Sequence, residues 1–305
     1  HHYLEEGHRF GVIASTDDHL GYPGGYREGL AVIKATELSR DAIFDALRNR
    51  RCYGVTGDRI ALDFELNGRM MGEELPYARE RRMRVAVRGW DQVDRVEILE
   101  NNRVIHRDFP MDRIPDAGSW RRPVVLRFEY GWGPWPALGW GGTADWDFTI
   151  EVEGGRIVDS TPCFCSGPLD EFRRDRVLER TERSIRVQSY TALKQQVDDW
   201  SQKAMVLRVE GDADTKVTVT CTKPAKCSLT QSFRELAESN EMLFTRPFPW
   251  ESAMLHRLTF AENYETEFTV DVEREGEGVS WYYARVVQAN GELAWSSPIW
   301  VEGRA

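Results

Sequence analysis

From residue 58 onward, hydrophobicity alternates with period two in one short segment after another, and no other feature of the chain constrains its fold as strongly. Ala61-Leu-Asp-Phe-Glu-Leu66 is the clearest case, and Asn67-Gly68 follows it directly. Alternation sends successive side chains to opposite faces of a strand, and Asn-Gly tolerates the positive φ of a two-residue hairpin turn. The pattern recurs over 84–88, 95–99, 124–130, 147–153, 184–190, 205–210, 216–222, 267–273, 280–287 and 293–301, with Asn101-Asn102 and Asn290-Gly291 as further turn signals. Short half-buried strands separated by regular turns predict antiparallel sheets packed as a sandwich. In the second half only 232–241 reads as helix; 166–182 is charged and reads as a linker or a short helix.

The first 57 residues read differently. Phe10-Gly-Val-Ile-Ala-Ser15 and Gly29-Leu-Ala-Val-Ile-Lys-Ala35 are continuous apolar runs, which predict buried strands. Gly21-Tyr-Pro-Gly-Gly25 between them reads as a loop. Ser39 is a helix N-cap, and Ile43, Phe44, Ala46 and Leu47 share one helical face. Strand, loop, strand and helix make a piece of an α/β layer. The expected fold class is therefore mainly β: a β-sandwich region preceded by a partial α/β segment. The expected divisions are 1–57, 58–165 and 166–305, the last two being first and second parts of the β-sandwich region.

Composition excludes several classes. No apolar run approaches the ~18 residues of a membrane-spanning helix. A formal net charge of −10 disfavours a general binder of phosphate backbones, so no nucleic-acid partner is expected. Five cysteines, at 52, 163, 165, 221 and 227, are too few and too scattered for a disulfide framework. Cys221 and Cys227 could pair across a hairpin, but the burial habit of cysteine favours free thiols. Cys163-x-Cys165 lacks a second pair with matching spacing, so strand-end thiols are favoured over half a zinc site. His106 and His256 stand alone in strand-like contexts and read as structural.

The sharpest chemical signal is Ser15-Thr16-Asp17-Asp18-His19-Leu20-Gly21, directly after the first apolar run. Asp17 and His19, two positions apart at a strand end, can place a carboxylate and an imidazole on one metal ion, a donor set suited to Zn, Mn or Fe. A polar turn with a solvated histidine carries the same residues, and two ligands do not make a site.

Gly7-His-Arg-Phe-Gly-Val-Ile-Ala-Ser-Thr-Asp-Asp-His-Leu-Gly-Tyr-Pro-Gly24 resembles the last metal motif of the PHP (polymerase and histidinol phosphatase) superfamily, in particular a branch of PHP-like metal-dependent phosphoesterases. The stretches 36–60, 62–72 and 282–300 are also similar to that branch; the similarity is specific over 7–75 and 280–301 and weak between them. The resemblance implies a distorted (β/α)7 barrel with His, Asp and Glu ligands at its mouth, two of them Asp17 and His19. It implies a divalent metal cluster that polarises a phosphate ester and lowers the pKa of a bound water. The superfamily's early His-x-His pair has no counterpart here, since His1 and His2 are adjacent. The expectation is therefore the last strands and helix of a truncated barrel, inactive alone, with the divalent metal either retained or absent. Residues 1–57 would then pair with another copy, lie under missing barrel polypeptide, or pack back on the sandwich.

Two further candidates remain. Arg59, after the helix, could hold a phosphate through a bidentate contact, or sit in a surface ion pair. Trp132, Trp135, Trp140 and Trp146 crowd a Gly/Pro-rich stretch. Trp135 and Trp140 could stack on sugar rings, or the tryptophans could plug the sandwich. The main expectation is thus part of a metal-dependent phosphoesterase; the competing one is a non-catalytic β-sandwich module that binds a glycan or a protein through the Trp-rich loop.

Overall fold

The computed structural model describes residues 1–16, 29–113, 120, 122–131, 143–164, 175–192, 202–247 and 250–304. It is mainly β, built from antiparallel sheets, with no closed barrel among the described residues. Two compact units share the chain. The first takes the described residues up to 113 together with those from 262 onward; the second takes those between. The two units meet along the chain near 113 and 261. Cys52–Val55 pairs with Leu293–Ser296, so the two ends of the sequence share one sheet.

In the first unit a four-stranded sheet runs in the order Glu265–Glu273, Glu80–Arg88, Ala61–Leu66 and Arg69–Met70. The alternation fulfils its prediction: in Ala61–Leu66 the residues Leu62, Phe64 and Leu66 are buried while Ala61 and Asp63 are exposed. The opposing eight-stranded sheet is centred on Ser280–Gln288. One of its edges takes Leu293–Ser296 and Ile299–Val301, and the other takes Val93–Glu100, followed by Arg103–Asp108. Phe64, Met83 and Val85 from the small sheet meet Val96, Ile98, Tyr282, Ala284 and Ile299 from the large one in a single core. The turns expected at 67–68 and 101–102 carry positive φ at Asn67, Gly68, Asn101 and Asn102. The far face of the large sheet carries Leu99, Tyr283 and Trp300, with Leu4 of the short helix His2–Glu5 packed on it.

The α/β-like stretch takes a form its apolar runs did not predict. Leu30–Ile33 is a strand, but it lies at a sheet edge, is partly exposed, and runs antiparallel to Cys52–Val55. The buried strand expected over 10–15 does not form: Phe10 and Ile13 are exposed, and the Val12 amide donates to the Ser297 hydroxyl instead of to a neighbouring strand. This segment passes so close to Gly54 that a Cβ there would lie 3.0 Å from the Ala14 nitrogen. Within residues 1–57 the segment around Val12–Ala14 lies against Gly54 and Ser297, while Leu38, Phe44 and Leu47 stay exposed. The helix Arg40–Arg48 is present, and the Ser39 hydroxyl accepts from the Ala42 amide as its cap.

The second unit packs a five-stranded sheet, ordered Arg176–Arg180, Ser184–Ala192, Thr143–Glu153, Lys216–Lys223 and Cys227–Ser232, with a six-stranded one. The latter has the order Arg156–Cys163, Gln202–Glu210, Val124–Gly131, Ser252–Leu255 and Glu241–Phe244, and Thr259–Phe260 also pairs with Val124–Gly131. Phe128, Tyr130, Phe148, Val187, Leu207 and Val219 fill the space between them. The expected helix is shorter than its sequence signal, Phe233–Glu238, and opens on a capping box between Ser232 and Glu235. Trp146, placed by sequence in the Trp-rich loop, belongs to a strand: it is buried, and its indole N–H donates to Thr191 Oγ1 at 2.8 Å. Core plugging holds for this tryptophan. Among the described residues no helix is long and apolar enough to cross a membrane.

Candidate functional site

The turn that leaves Cys52–Val55 is dense in side-chain hydrogen bonds, and it holds one of the sequence-nominated residues, Arg59. All four strand residues are buried. The backbone then bends through 56–59, anchored at both ends. The Thr56 amide donates to the Leu293 carbonyl, the Thr56 hydroxyl accepts from the Leu293 amide at 2.9 Å, and the same hydroxyl donates to the Glu292 carboxylate. Asp58, buried, accepts from the side-chain amides of Gln288 at 2.6 Å and Asn290 at 2.8 Å. Gln288 in turn accepts from the Trp90 amide at 2.8 Å. The Tyr53 hydroxyl donates to the Ile60 carbonyl and accepts from the Leu62 amide, which closes the turn from below. Burial pushes the Tyr53 phenol above its ordinary range, so it stays a neutral donor.

This network fixes where Arg59 can go. Its side chain is exposed, and the guanidinium lies 5.7 Å from the centre of the Trp90 ring. Cation–π stacking of this kind fixes the guanidinium over the ring. The turn thereby holds a cation at a defined place on the surface of its unit. Gly89 is required beneath it: a Cβ there would sit 2.5 Å from the Asp91 carbonyl oxygen.

The other sequence-nominated residues, Asp17, His19, Trp135 and Trp140, lie outside the described residues. The carboxylate and imidazole of Asp17 and His19 suit a divalent metal by donor type. Among the described residues no group of three or more His, Cys, Asp or Glu side chains could hold a metal ion by itself. Cys163 is buried at a strand end with its thiol directed at the Thr161 carbonyl. His256 reaches the Glu129 carboxylate at 3.1 Å, and the His106 ring packs at a tilt against Phe268, with ring centres 5.1 Å apart.

Sequence reasoning missed the buried charges. Glu97, 1% exposed, lies on the outer face of the large sheet among Arg107, Arg285 and Arg95. Burial raises its pKa, but the hydrogen bonds from Arg107 and Arg285 outweigh that and hold the carboxyl below its ordinary range. Arg81 stacks on Tyr282 and pairs with Glu100 at 3.7 Å; burial, reinforced by Glu100, lifts the Tyr282 phenol to about 12. In the second unit Lys203 and Asp175, each side chain 1% exposed, pair at 2.7 Å. The available signal was parity: Arg81 falls in step with inward-facing Met83 and Val85, and Lys203 with Met205 and Leu207.

A family model matches the part of the chain that holds this turn. Residues 25–76, which contain the helix, the Thr56–Arg59 turn and the first alternating strand, match a family described as "Protein of unknown function (DUF3604)". Uncharacterized proteins of Chlamydia muridarum and Chlamydia trachomatis serovar D are each 31% identical to the chain over 121 residues. That alignment covers 35% of this chain and 20% of each relative, so the chain spans about a fifth of the length of the curated relatives it matches.

Proposed function

We propose that this chain supplies one side of a PHP-like metal-dependent hydrolase acting on a phosphate ester, with Asp17 and His19 as two of its metal ligands and further barrel polypeptide supplying the rest. The observation that carries the reading is the apolar surface that the helix Arg40–Arg48 leaves exposed among the described residues. Its spacing is amphipathic, yet Ala46 is its only buried residue, while Phe44 is 50% exposed, Leu47 37% and the neighbouring Leu38 96%. Phe10 and Ile13 add exposed apolar surface in the same N-terminal stretch. An amphipathic helix normally buries that face, and in an α/β layer the cover is the adjoining strands.

A bound divalent metal would polarise the ester and supply a hydroxide nucleophile. Arg59, steadied by Trp90, would hold a phosphate oxygen, and the Asp58–Gln288–Asn290 network would keep the turn from moving as charge arrives. The test is metal analysis and phosphatase turnover of the longer protein that carries this chain, beside its Asp17→Ala and His19→Ala variants. Loss of bound metal and of turnover in both variants supports the reading. Unchanged metal content in both, or stoichiometric metal with turnover in the 305-residue chain alone, overturns it.

A second reading has one observation in its favour. On the outer face of the five-stranded sheet a groove of about 450 Å³ is lined by Asp145, Asp147, Arg176, Gln188 and Lys223. Alternating donors and acceptors suit a hydroxyl-rich ligand, and Thr143–Glu153 begins just after the stretch that holds Trp135 and Trp140. Glycan-array binding that disappears in Trp135→Ala or Trp140→Ala would favour this module; an array without signal would dismiss it.

A further inference from the structure

We propose that Cys221 and Cys227 form a reversible cross-strand disulfide that clasps the edge hairpin of the second unit's five-stranded sheet. The two residues are directly opposed in the antiparallel pairing of Lys216–Lys223 with Cys227–Ser232. Opposed antiparallel residues have Cα atoms ~4.5–5.5 Å apart. A disulfide needs Cα atoms ~4.4–6.8 Å apart, so the backbone has no distance to travel.

Side-chain direction agrees. Val217, Val219 and Cys221 alternate into the core, and Cys227 packs against the same core from the partner strand. Both thiols therefore stand on one face of the sheet, and they are within hydrogen-bonding reach of each other. The other described cysteines lack this arrangement. Cys52 is opposed by Ile33 and meets the Ser297 hydroxyl, and Cys163 is opposed by Ala204.

The two thiols differ in access, which orders the chemistry. Cys221 is buried and Cys227 is partly exposed. With a small disulfide as oxidant, the Cys227 thiolate attacks one sulfur of that disulfide. This forms a mixed disulfide and expels one small thiolate. Cys221 gives its proton to solvent and attacks the Cys227 sulfur, expelling the second thiolate. The balance is one protein dithiol plus one small disulfide going to one protein disulfide plus two small thiols. Burial raises the pKa of both thiols, and the partial exposure of Cys227 lets it meet the oxidant first.

The experiment equilibrates the full chain with excess glutathione disulfide, alkylates it, digests it with trypsin and identifies peptides by mass. Cleavage after Lys226 separates the two cysteines, so the disulfide links two peptides that dithiothreitol separates again. The expected result is that the linked pair becomes the predominant form of both peptides, persists in Cys52→Ser, and vanishes in Cys227→Ser. Separate alkylation of both cysteines at equilibrium, a mixed disulfide stopped at Cys227, or linkage of either cysteine to another partner overturns the proposal.

Discussion

Replacing Lys203 by methionine should destabilise the second unit far more than removing both members of its ion pair. Lys203 Nζ lies 2.7 Å from Asp175 Oδ2 and 3.8 Å from the centre of the Tyr190 ring. Asp175 Oδ1 accepts from Ser189 at 2.6 Å, and Ser189 accepts from Tyr130 at 2.8 Å. Neither charged side chain reaches water to any useful extent, each being 1% exposed. Lys203→Met keeps the volume and the aliphatic stem but strips Asp175 of its counter-charge. An uncompensated buried charge of this kind costs about 3–5 kcal/mol. For a unit of this size each kcal/mol moves the melting temperature by ~2–4 °C, so calorimetry on the full chain should show that unit's transition fall by roughly 6–20 °C. The double variant Lys203→Met/Asp175→Leu removes both desolvated charges and leaves the Tyr130–Ser189 bond in place. It should lie within ~1 kcal/mol of the starting protein, because apolar replacements of buried pairs are often neutral or stabilising. A single variant that loses less than ~1 kcal/mol would refute the reasoning, since the measured cost of an unpaired buried charge would then be missing. So would a double variant as unstable as the two singles combined.

Other consequences are as direct. Phe64→Ala empties a fully buried site in the first unit's core and should cost about 3–5 kcal/mol in urea unfolding; a loss under ~1 kcal/mol would mean the two sheets collapse onto the gap. Ser232→Ala removes the capping-box hydroxyl that accepts from the Glu235 amide and should cost ~1 kcal/mol, with Ser232→Gly milder. Glu129 sets a pH dependence. Burial raises its pKa, but hydrogen bonds from His256 and Arg127 prevail and bring it below its ordinary 4.5. A depressed folded value means that its stabilisation is complete above 4.5 and fades as pH falls through the depressed value. Glu129→Gln should therefore flatten the acid limb of a stability-against-pH curve, and an unchanged slope would show that Glu129 does not carry it.

The strands were legible because each is declared by its own residues. In Glu80–Arg88 the buried positions fall at every second residue from Arg81 to Val87, and period-two patterning records just that. Which strands pair was not legible. Val93–Glu100 lies beside Ser280–Gln288, nearly two hundred residues away, with Leu293–Ser296 on the other side. Nothing in either segment names the other. The second unit therefore appears in sequence as a continuation of the first, although it interrupts it between 113 and 262. Continuous apolar runs misled for a related reason. Phe10-Gly-Val-Ile-Ala-Ser15 has the composition of a buried strand, but a strand needs a free edge beside it, and Cys52–Val55 already has Leu30–Ile33 on one side and Leu293–Ser296 on the other. The run is left to cross over Gly54 with its apolar side chains partly in water.

The site divides along the same line. Sequence could nominate Arg59 as a residue type able to grip phosphate, but its orientation depends on partners from two distant segments. Trp90 supplies the ring, and Gln288 and Asn290 hold the turn through Asp58. These contacts turn an exposed arginine into a positioned one, and each is testable apart from any substrate. Should the turn serve an anion, Gln288→Leu ought to weaken that binding while leaving Arg59 itself intact, because Asp58 and the Trp90 amide would both lose a hydrogen-bond partner inside a buried network. Trp90→Leu instead removes the stacking surface and keeps the network. If both substitutions weaken phosphate binding, positioning is the property that matters; if only Arg59→Ala does, charge alone suffices and the buried scaffold under the turn belongs to folding.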